Sequence, residues 1–398
     1  NMKIIHTSDW HIGKIVNEFS MLEDQKYILN KLLKLIDKEK PDVLIIAGDI
    51  YDRSIPPVDG VELLNDVLSE LVTKKGIKVL AISGNHDSGE RVGFVNTILE
   101  KQGLYIIGRD EELYRKIELD DDYGKINFYL VPYKDPSVIR KLLDNSEIKN
   151  HNDAMKAIVE KINLNKNERN ILITHGYATI YRDEAKESDK NKYQAANLEV
   201  SESERPLSIG GTDLIDCNIF DNFDYVALGH LHGRQKVGRE EVRYSGSLLK
   251  YSFSEVNQKK GVTIFEIDED KNVNIDLKEL TPLRDLRIIK GNIDELIENG
   301  RNITEGKEDY IQAVLLDDGE LINPIEKLRA VYPNTMLITR ENKRQYDENN
   351  TSAKNGYKNK SEKDLFEEFY NSLSDGEFTE EKSKVIDEII NEVLKGEI

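Results

Sequence analysis

The sequence predicts an α/β fold in which parallel strands, joined by crossover helices, bring their chemistry to one sheet edge. Three observations carry that prediction. First, Lys3-Ile4-Ile5-His6-Thr7, Val43-Leu44-Ile45-Ile46-Ala47, Lys78-Val79-Leu80-Ala81-Ile82, Ile171-Leu172-Ile173-Thr174 and Tyr225-Val226-Ala227-Leu228 are short apolar runs, the mark of strands buried on both faces. Second, stretches of helical periodicity separate the first three runs, giving the β-α-β-α-β order of a parallel sheet. Third, each run hands over to residues suited to metals and phosphates: Asp9-Trp10-His11, Gly48-Asp49, Gly84-Asn85-His86-Asp87, His175-Gly176 and Gly229-His230-Leu231-His232. Open α/β sheets build their sites at such strand ends.

In chain order, Ser20-Met21-Leu22-Glu23 reads as a capping box, and the helix after it carries Leu22, Ile28, Leu29, Leu32, Leu33 and Ile36 on one apolar stripe until Pro41. Pro56 and Pro57 open a second helix with Val61, Leu64, Leu68, Leu71 and Val72, closed by Gly76. Shorter strands follow between Leu104 and Val131, then helices over residues 137–143 and 153–164. Residues 181–206 are polar and lack apolar periodicity, as a long surface excursion beside the site does. After His232 the strands over 234–237, 241–244, 261–267 and 273–277 look antiparallel. Pro282 marks a boundary, beyond which a small β-α-β-α-β unit holds none of the motif residues. Residues 341–360 are polar and read as a flexible linker. Two short helices come last, the first around 365–373, the second with Val385, Ile386, Ile389, Ile390, Val393 and Leu394 at helical spacing. So much apolar surface beyond a polar linker either folds back on its own domain or docks on a partner, and a linker of that length favours the partner.

A chain of 398 residues suits two or three domains. Its net charge of −19 argues against a stand-alone high-affinity DNA binder, because phosphate neutralisation needs a basic surplus. A nuclease remains open, since bound cations supply local positive charge and a partner can do the holding. One cysteine, Cys217, excludes an intrachain disulfide framework and fits a reducing cytosol. With no signal peptide and no run long enough to span a bilayer, a cytoplasmic protein without membrane contact is expected.

Seven histidines are present. His6 lies within the first strand, and His151 alone has the context of an ordinary surface residue. A scatter of satisfied core histidines would not repeat one strand-end context so often. The ordered set Asp-x-His, Gly-Asp, Gly-Asn-His-Asp, His and Gly-His-x-His resembles the calcineurin-like metallophosphoesterases. The longer stretches His6-Thr7-Ser8-Asp9-Trp10-His11-Ile12-Gly13, Ala47-Gly48-Asp49-Ile50-Tyr51-Asp52, Gly84-Asn85-His86-Asp87-Ser88-Gly89-Glu90-Arg91 and Tyr244-Ser245-Gly246-Ser247 look like the SbcD-type nuclease subunits among them. The likeness is close up to Pro282 and one of layout beyond it.

That resemblance implies a four-layer α/β/β/α metallophosphoesterase sandwich over residues 1–282. A small α/β capping domain over 283–340 would lie above the active site and restrict what DNA enters. After the linker at 341–360, a helical segment over 361–398 would bind the base of the coiled coil of an SbcC-like ATPase. Helices of the first half would pair the chain as a homodimer. The implied activity is a metal-dependent exo- and endonuclease that processes double-strand breaks, DNA ends and hairpins with the ATPase. The alternative is a stand-alone metallophosphatase or phosphodiesterase on a non-DNA substrate; complete ligands weigh against a non-catalytic binding module.

Carried over residue by residue, Asp9, His11, Asp49 and His232 would hold one divalent cation, and Asp49, Asn85, His175 and His230 a second. Asp49 would bridge them, so that both cations polarise one phosphate. The mixed oxygen and imidazole set suits Mn²⁺ first, or Fe²⁺, leaves Zn²⁺ open, and fits an all-oxygen Mg²⁺ site worse. His86 would stabilise the phosphate charge and protonate the leaving oxygen, with Asp52 orienting it. On a strand, His230 and His232 would share one face. Asp87 and Arg91 are expected to support the loop.

Overall fold

The computed structural model describes residues 1–94, 96–180, 198–204, 213–341, 366–367, 370 and 378–395. Strand β1 (Lys3–Thr7) leads to helix α1 (Leu22–Glu39), β2 (Val43–Ala47), α2 (Val58–Ser69), β3 (Lys78–Ile82) and β4 (Leu104–Ile107). Ile28, Leu29, Leu32 and Ile36 form the buried stripe of α1, which stops at a left-handed Lys40 before Pro41. The expected capping box does not form. Met21 is the N-cap and makes no side-chain cap, because Ser20 is paired with Ile15 in a short hairpin. The Ser20 hydroxyl reaches only the Leu22 amide, at 3.4 Å, and Glu23 and Asp24 supply the negative charge that a helix start favours. Helix α2 follows Pro57 and runs on through one π-helical turn, Glu70–Lys74, to Gly76.

The chain continues through β5 (Arg115–Asp121), β6 (Gly124–Val131), α3 (Pro136–Leu143), α4 (His151–Lys161), β7 (Arg169–His175) and β8 (Tyr225–Gly229). Then come β9 (Gln235–Val237), β10 (Arg239–Tyr244), β11 (Gly261–Ile267) and β12 (Val273–Glu279). Two six-stranded sheets result, in the orders β12-β11-β1-β2-β3-β4 and β9-β10-β8-β7-β6-β5. Strands β1 to β4 are parallel, and so are β6, β7, β8 and β10. The antiparallel reading after His232 therefore holds for β9, β11 and β12 but not for β10, which runs parallel to β8. The motif-bearing strands also divide: β1, β2 and β3 belong to one sheet, β7 and β8 to the other. The single sheet edge expected from the sequence is two facing edges. Apolar runs report burial; they do not say which strand pairs with which.

Between the sheets, Ile4, Ile45, Leu80 and Ile82 meet Phe128, Leu130, Ile171, Ile173 and Tyr225. Alternate residues point outward: Ile5, Leu44, Ile46 and Val79 lie under α1 and α2, while Leu172, Val226 and Leu228 lie under α3 and α4. These are the four layers of an α/β/β/α sandwich. Each such side chain contributes roughly 1.5–3 kcal/mol by leaving water, and burial on both faces removes the usual strand alternation. His151 is 7% exposed rather than a surface residue, because it opens α4 and stacks on Tyr133 with ring centroids 5.6 Å apart.

Beyond Pro282, β13 (Leu286–Gly291), α5 (Ile293–Asn302), β14 (Tyr310–Leu315), α6 (Pro324–Arg329) and β15 (Thr335–Arg340) build a parallel three-stranded sheet. It has its own small core around Leu296, Ile311, Ala313 and Leu328. Arg284 ties it to the start of α1, donating to Glu23 at 2.6 Å and Asp24 at 2.8 Å, and the Tyr310 hydroxyl donates to Asp24 at 2.7 Å.

The chain separates into two compact units, Asn1–Arg340 and Glu341–Ile398. In the second, α7 (Glu380–Lys395) leaves Val385 and Ile389 exposed. The linker past residue 341, most of the helix expected around 365–373 and most of the 181–206 excursion lie outside the described residues. Among those described, no helix is long and apolar enough to cross a membrane.

Candidate metal centre

The two sheets touch where β2 and β8 end. A Cβ on Gly229 would overlap the Ala47 carbonyl oxygen, so only glycine lets the backbones meet there. The loop after β1 runs along the loop after β2, with the Asp9 amide donating to Gly48 O at 3.0 Å and the His11 amide to Asp49 O at 2.9 Å. These bonds hold residues in left-handed backbone: Asp9 (φ 53°), His11 (46°) and Asp49 (49°), joined by His230 (110°), whose amide donates to the Asp9 carboxylate at 3.1 Å. L side chains enter that region at a cost of about 1–3 kcal/mol each, and such residues gather at functional sites. Since β8 stops at Gly229, His230 and His232 lie on the turn after it. Their shared direction comes from this backbone turn, not from a strand face. Asp87 braces the third loop by accepting from the amides of Gly84 at 2.9 Å, Ile50 at 3.0 Å and Tyr51 at 2.9 Å; Arg91 is exposed.

Asp49 lies at the middle. Its Oδ2 is 3.6 Å from His11 Nε2 and 3.5 Å from His175 Nε2. On one side His11 Nε2 faces His232 Nε2 at 3.1 Å, with Asp9 Oδ1 at 4.0 Å. On the other, Asn85 Oδ1 is 3.0 Å from His175 Nε2 and 3.3 Å from His230 Nδ1. All seven expected ligands therefore converge, and all but Asn85 are buried. His86 stands at the rim, its ring edge-on to His11 with centroids 4.7 Å apart.

The polar balance of this cluster fits divalent cations. Two imidazole nitrogens that face each other at 3.1 Å can share one proton at most. The buried His11 Nδ1 has no hydrogen-bond partner, and the carboxylates of Asp9 and Asp49 are almost wholly sealed from water. Buried charge of this kind is held by pairing or by metal. Burial opposes charge on Asp49, but His175, then His11 and His86, outweigh it and hold its carboxyl well below the usual range. His175 is raised to about 9, because Asp49 outweighs burial. Burial lowers His11 to about 4 against the pull of Asp52, and it lowers His230 strongly, aided by the charge of His175. Neutral imidazole is the ligating form.

The outer nitrogens are fixed too. His175 Nδ1 donates to Ala47 O at 2.8 Å, and His86 Nδ1 to the main-chain oxygen of Asp52 at 2.8 Å. The expected contact of the Asp52 carboxylate with His86 is therefore made by the Asp52 carbonyl instead. Lys14 claims the carboxylate at 2.7 Å, and His11 Nδ1 lies 3.5 Å from it.

Several residues here escaped the sequence reading. Gln25 accepts from the Gly13 amide at 2.9 Å and donates to His11 O at 2.7 Å and to the Tyr251 hydroxyl at 3.0 Å. Its signal was available: a glutamine one turn before Ile28, inside the apolar stripe of α1. Ser203, Glu204, Glu255 and Lys260 close around His232. Glu204 accepts from its amide at 2.6 Å, and Lys260 donates to its carbonyl at 2.8 Å. No motif spacing marks those four.

The model of the calcineurin-like phosphoesterases matches residues 2–234, and that of the type 5 capsule protein repressor C-terminal domain matches residues 282–373. The chain is 33% identical over 398 residues to the SbcD component of the SbcCD nuclease of Staphylococcus epidermidis, covering all of both chains. Among solved structures, a dimetal phosphatase from Danio rerio aligns at 12% identity and TM-score 0.37, over 66% of this chain and 92% of that one. A protein of Thermus thermophilus aligns at 12% identity and TM-score 0.36, over 69% and 98%. On its sequence, from end to end, the chain belongs to the calcineurin-like phosphoesterases, in the branch of the SbcD nuclease components.

Proposed function

We propose that the chain is a metal-dependent DNA nuclease, with exo- and endonuclease action on DNA ends, breaks and hairpins, working with an SbcC-like coiled-coil ATPase. The observation that carries it is the Asp49 carboxylate, 3.5–3.6 Å from the ligating nitrogens of His11 and His175, with His86 at the rim. Asp9, His11, Asp49 and His232 would hold one cation, and Asp49, Asn85, His175 and His230 the other, with Mn²⁺ best suited to the set. When bound, the pair polarises a phosphodiester and supplies the positive charge that a −19 chain lacks. His86, whose Nδ1–H is held by the Asp52 carbonyl, would carry a second proton on Nε2; that Nε2–H would steady the phosphate charge and pass to the leaving oxygen, leaving a neutral ring. Asp52 positions that ring through its backbone.

Residues 1–282 form the nuclease domain, 283–340 cap it, 341–360 link, and 361–398 bind the ATPase. The resemblance to an SbcCD component along the whole chain supports the partner. Exposed Ile55, Val58 and Val61, at 68%, 72% and 45%, support a homodimer through the α2 face. The test is incubation of the full chain with DNA and Mn²⁺. Cutting that needs both the metal and His86 is the expected result. DNA left intact while a small phosphodiester is hydrolysed would overturn the DNA reading.

A further inference from the structure

The outer nitrogen of His232 is held differently from those of His175 and His11. His175 is fixed by a backbone carbonyl, and His11 Nδ1 by no hydrogen bond at all. His232 Nδ1 instead lies 2.7 Å from the Ser203 hydroxyl and, more distantly, 3.3 Å from Glu255 Oε1, and that hydroxyl lies 2.6 Å from the same Oε1. Glu255 is sealed from water; its Oε2 is 2.6 Å from the equally buried Lys260 Nζ. That buried ammonium at ion-pair distance is the partner a buried carboxylate needs, so the pair is read as Lys260 ammonium and Glu255 carboxylate. An ionised carboxylate only accepts, so Ser203 must spend its single proton on Glu255. The Ser203 oxygen is then left as an acceptor, and the His232 nitrogen facing it has to be Nδ1–H. The donors run one way, from His232 Nδ1–H through Ser203 Oγ–H to Glu255. Nε2 is left with its lone pair toward His11 and Asp9. Ser201, whose hydroxyl also donates to Glu255 at 2.6 Å, secures the far end of the relay.

We infer that Glu255, acting through Ser203, is the positioning residue that fixes the ligating tautomer of His232 and so sets the affinity of one cation site. The inference rests on the two-cation reading above. It adds that the sites are unequal: the Asp9–His11–His232 side depends on a segment remote from the strand-end motifs, the Asn85–His175–His230 side does not. Carboxylates that orient a ligating imidazole are worth about 10–100-fold in metal affinity.

The experiment is calorimetric titration of the full chain with Mn²⁺, alongside thermal unfolding without metal. For Ser203→Ala, one of the two binding steps should weaken about 10–100-fold while the other stays at the wild-type value. Unfolding without metal should be unchanged, and Ser203→Thr, which keeps the hydroxyl, should bind as the wild type does. Glu255→Gln should weaken the same step, and it also leaves Lys260 buried without its partner, so Ser203→Ala is the cleaner probe. Two unaltered steps in Ser203→Ala, or equal weakening of both, would overturn the relay. A wild-type chain that binds no Mn²⁺ would overturn the two-cation reading itself, and the relay with it.

Discussion

The two ends of the sandwich bury charge in opposite ways. At the end where β1, β2, β7 and β8 finish, imidazoles face each other, a ring nitrogen makes no hydrogen bond, and several residues hold a left-handed backbone. At the other end, where β7 begins, Arg169 is 3% exposed and fully served. Its guanidinium pairs with both oxygens of Asp121 and donates to Ile267 O at 2.9 Å and Gly124 O at 2.8 Å. Asp121 in turn accepts from the amides of Met2 at 2.8 Å and Tyr123 at 2.9 Å. Both clusters are polar, buried and built from distant segments. Only the first is left incomplete by the protein alone. Between these two clusters it is incompleteness, rather than burial or charge, that separates the site from the staple.

That contrast can be broken most visibly at His86. His86→Ser should lose about 10²–10⁴-fold in turnover while keeping both cations and the wild-type unfolding temperature. Lost metal, or activity restored by excess Mn²⁺, would make His86 a ligand. Arg169→Ala should behave in reverse, costing about 3–5 kcal/mol in denaturant unfolding while the activity per folded molecule persists. An Arg169 variant of full stability would erase the distinction. Next comes the response to metal itself. Mn²⁺ at a hundred times its dissociation constant should raise stability by about 2.7 kcal/mol for each of the two occupied sites in the wild type, and Asp49→Asn should lose most of this gain because both sites weaken together. One tight site surviving in calorimetry would show that Asp49 does not bridge. The smallest effect lies in acid. Burial pushes the Asp121 carboxyl up, yet Arg169 and the amides bring it down to about 2. A carboxyl depressed in the folded state adds stability that is present above its ordinary range and lost as the pH falls through about 2. Asp121→Asn should therefore flatten the loss of stability between about pH 4 and pH 2, read from urea midpoints at each pH.

Much of the working end was legible in the sequence because the chemistry sits at strand ends, and strand ends are marked by apolar runs. Asp9, Asp49, Asn85, His175 and His230 could be named before any of them was seen to converge. What stayed hidden has a common cause. A sequence names side chains but not which atom meets which, so Asp52 was expected to reach His86 by its carboxylate when the carbonyl does so. Burial on both faces erases alternation, so two facing sheets read as one. Glu255, Ser203 and Lys260 come from segments with no shared spacing, and only the folded chain brings them to His232.

The pairing of β11 with β1 has a consequence during synthesis. Lys3 opposes Glu266 and His6 opposes Thr263, so one edge of β1 is closed only by a strand made roughly 250 residues later. At roughly 5–20 residues per second, a nascent chain holds that apolar edge open for on the order of 10–50 s. Through that interval β1 can pair only with β2, and neighbouring chains on the same message expose the same edge. The arrival of β11 thus also ends the exposure of that edge of β1 to strand-by-strand aggregation.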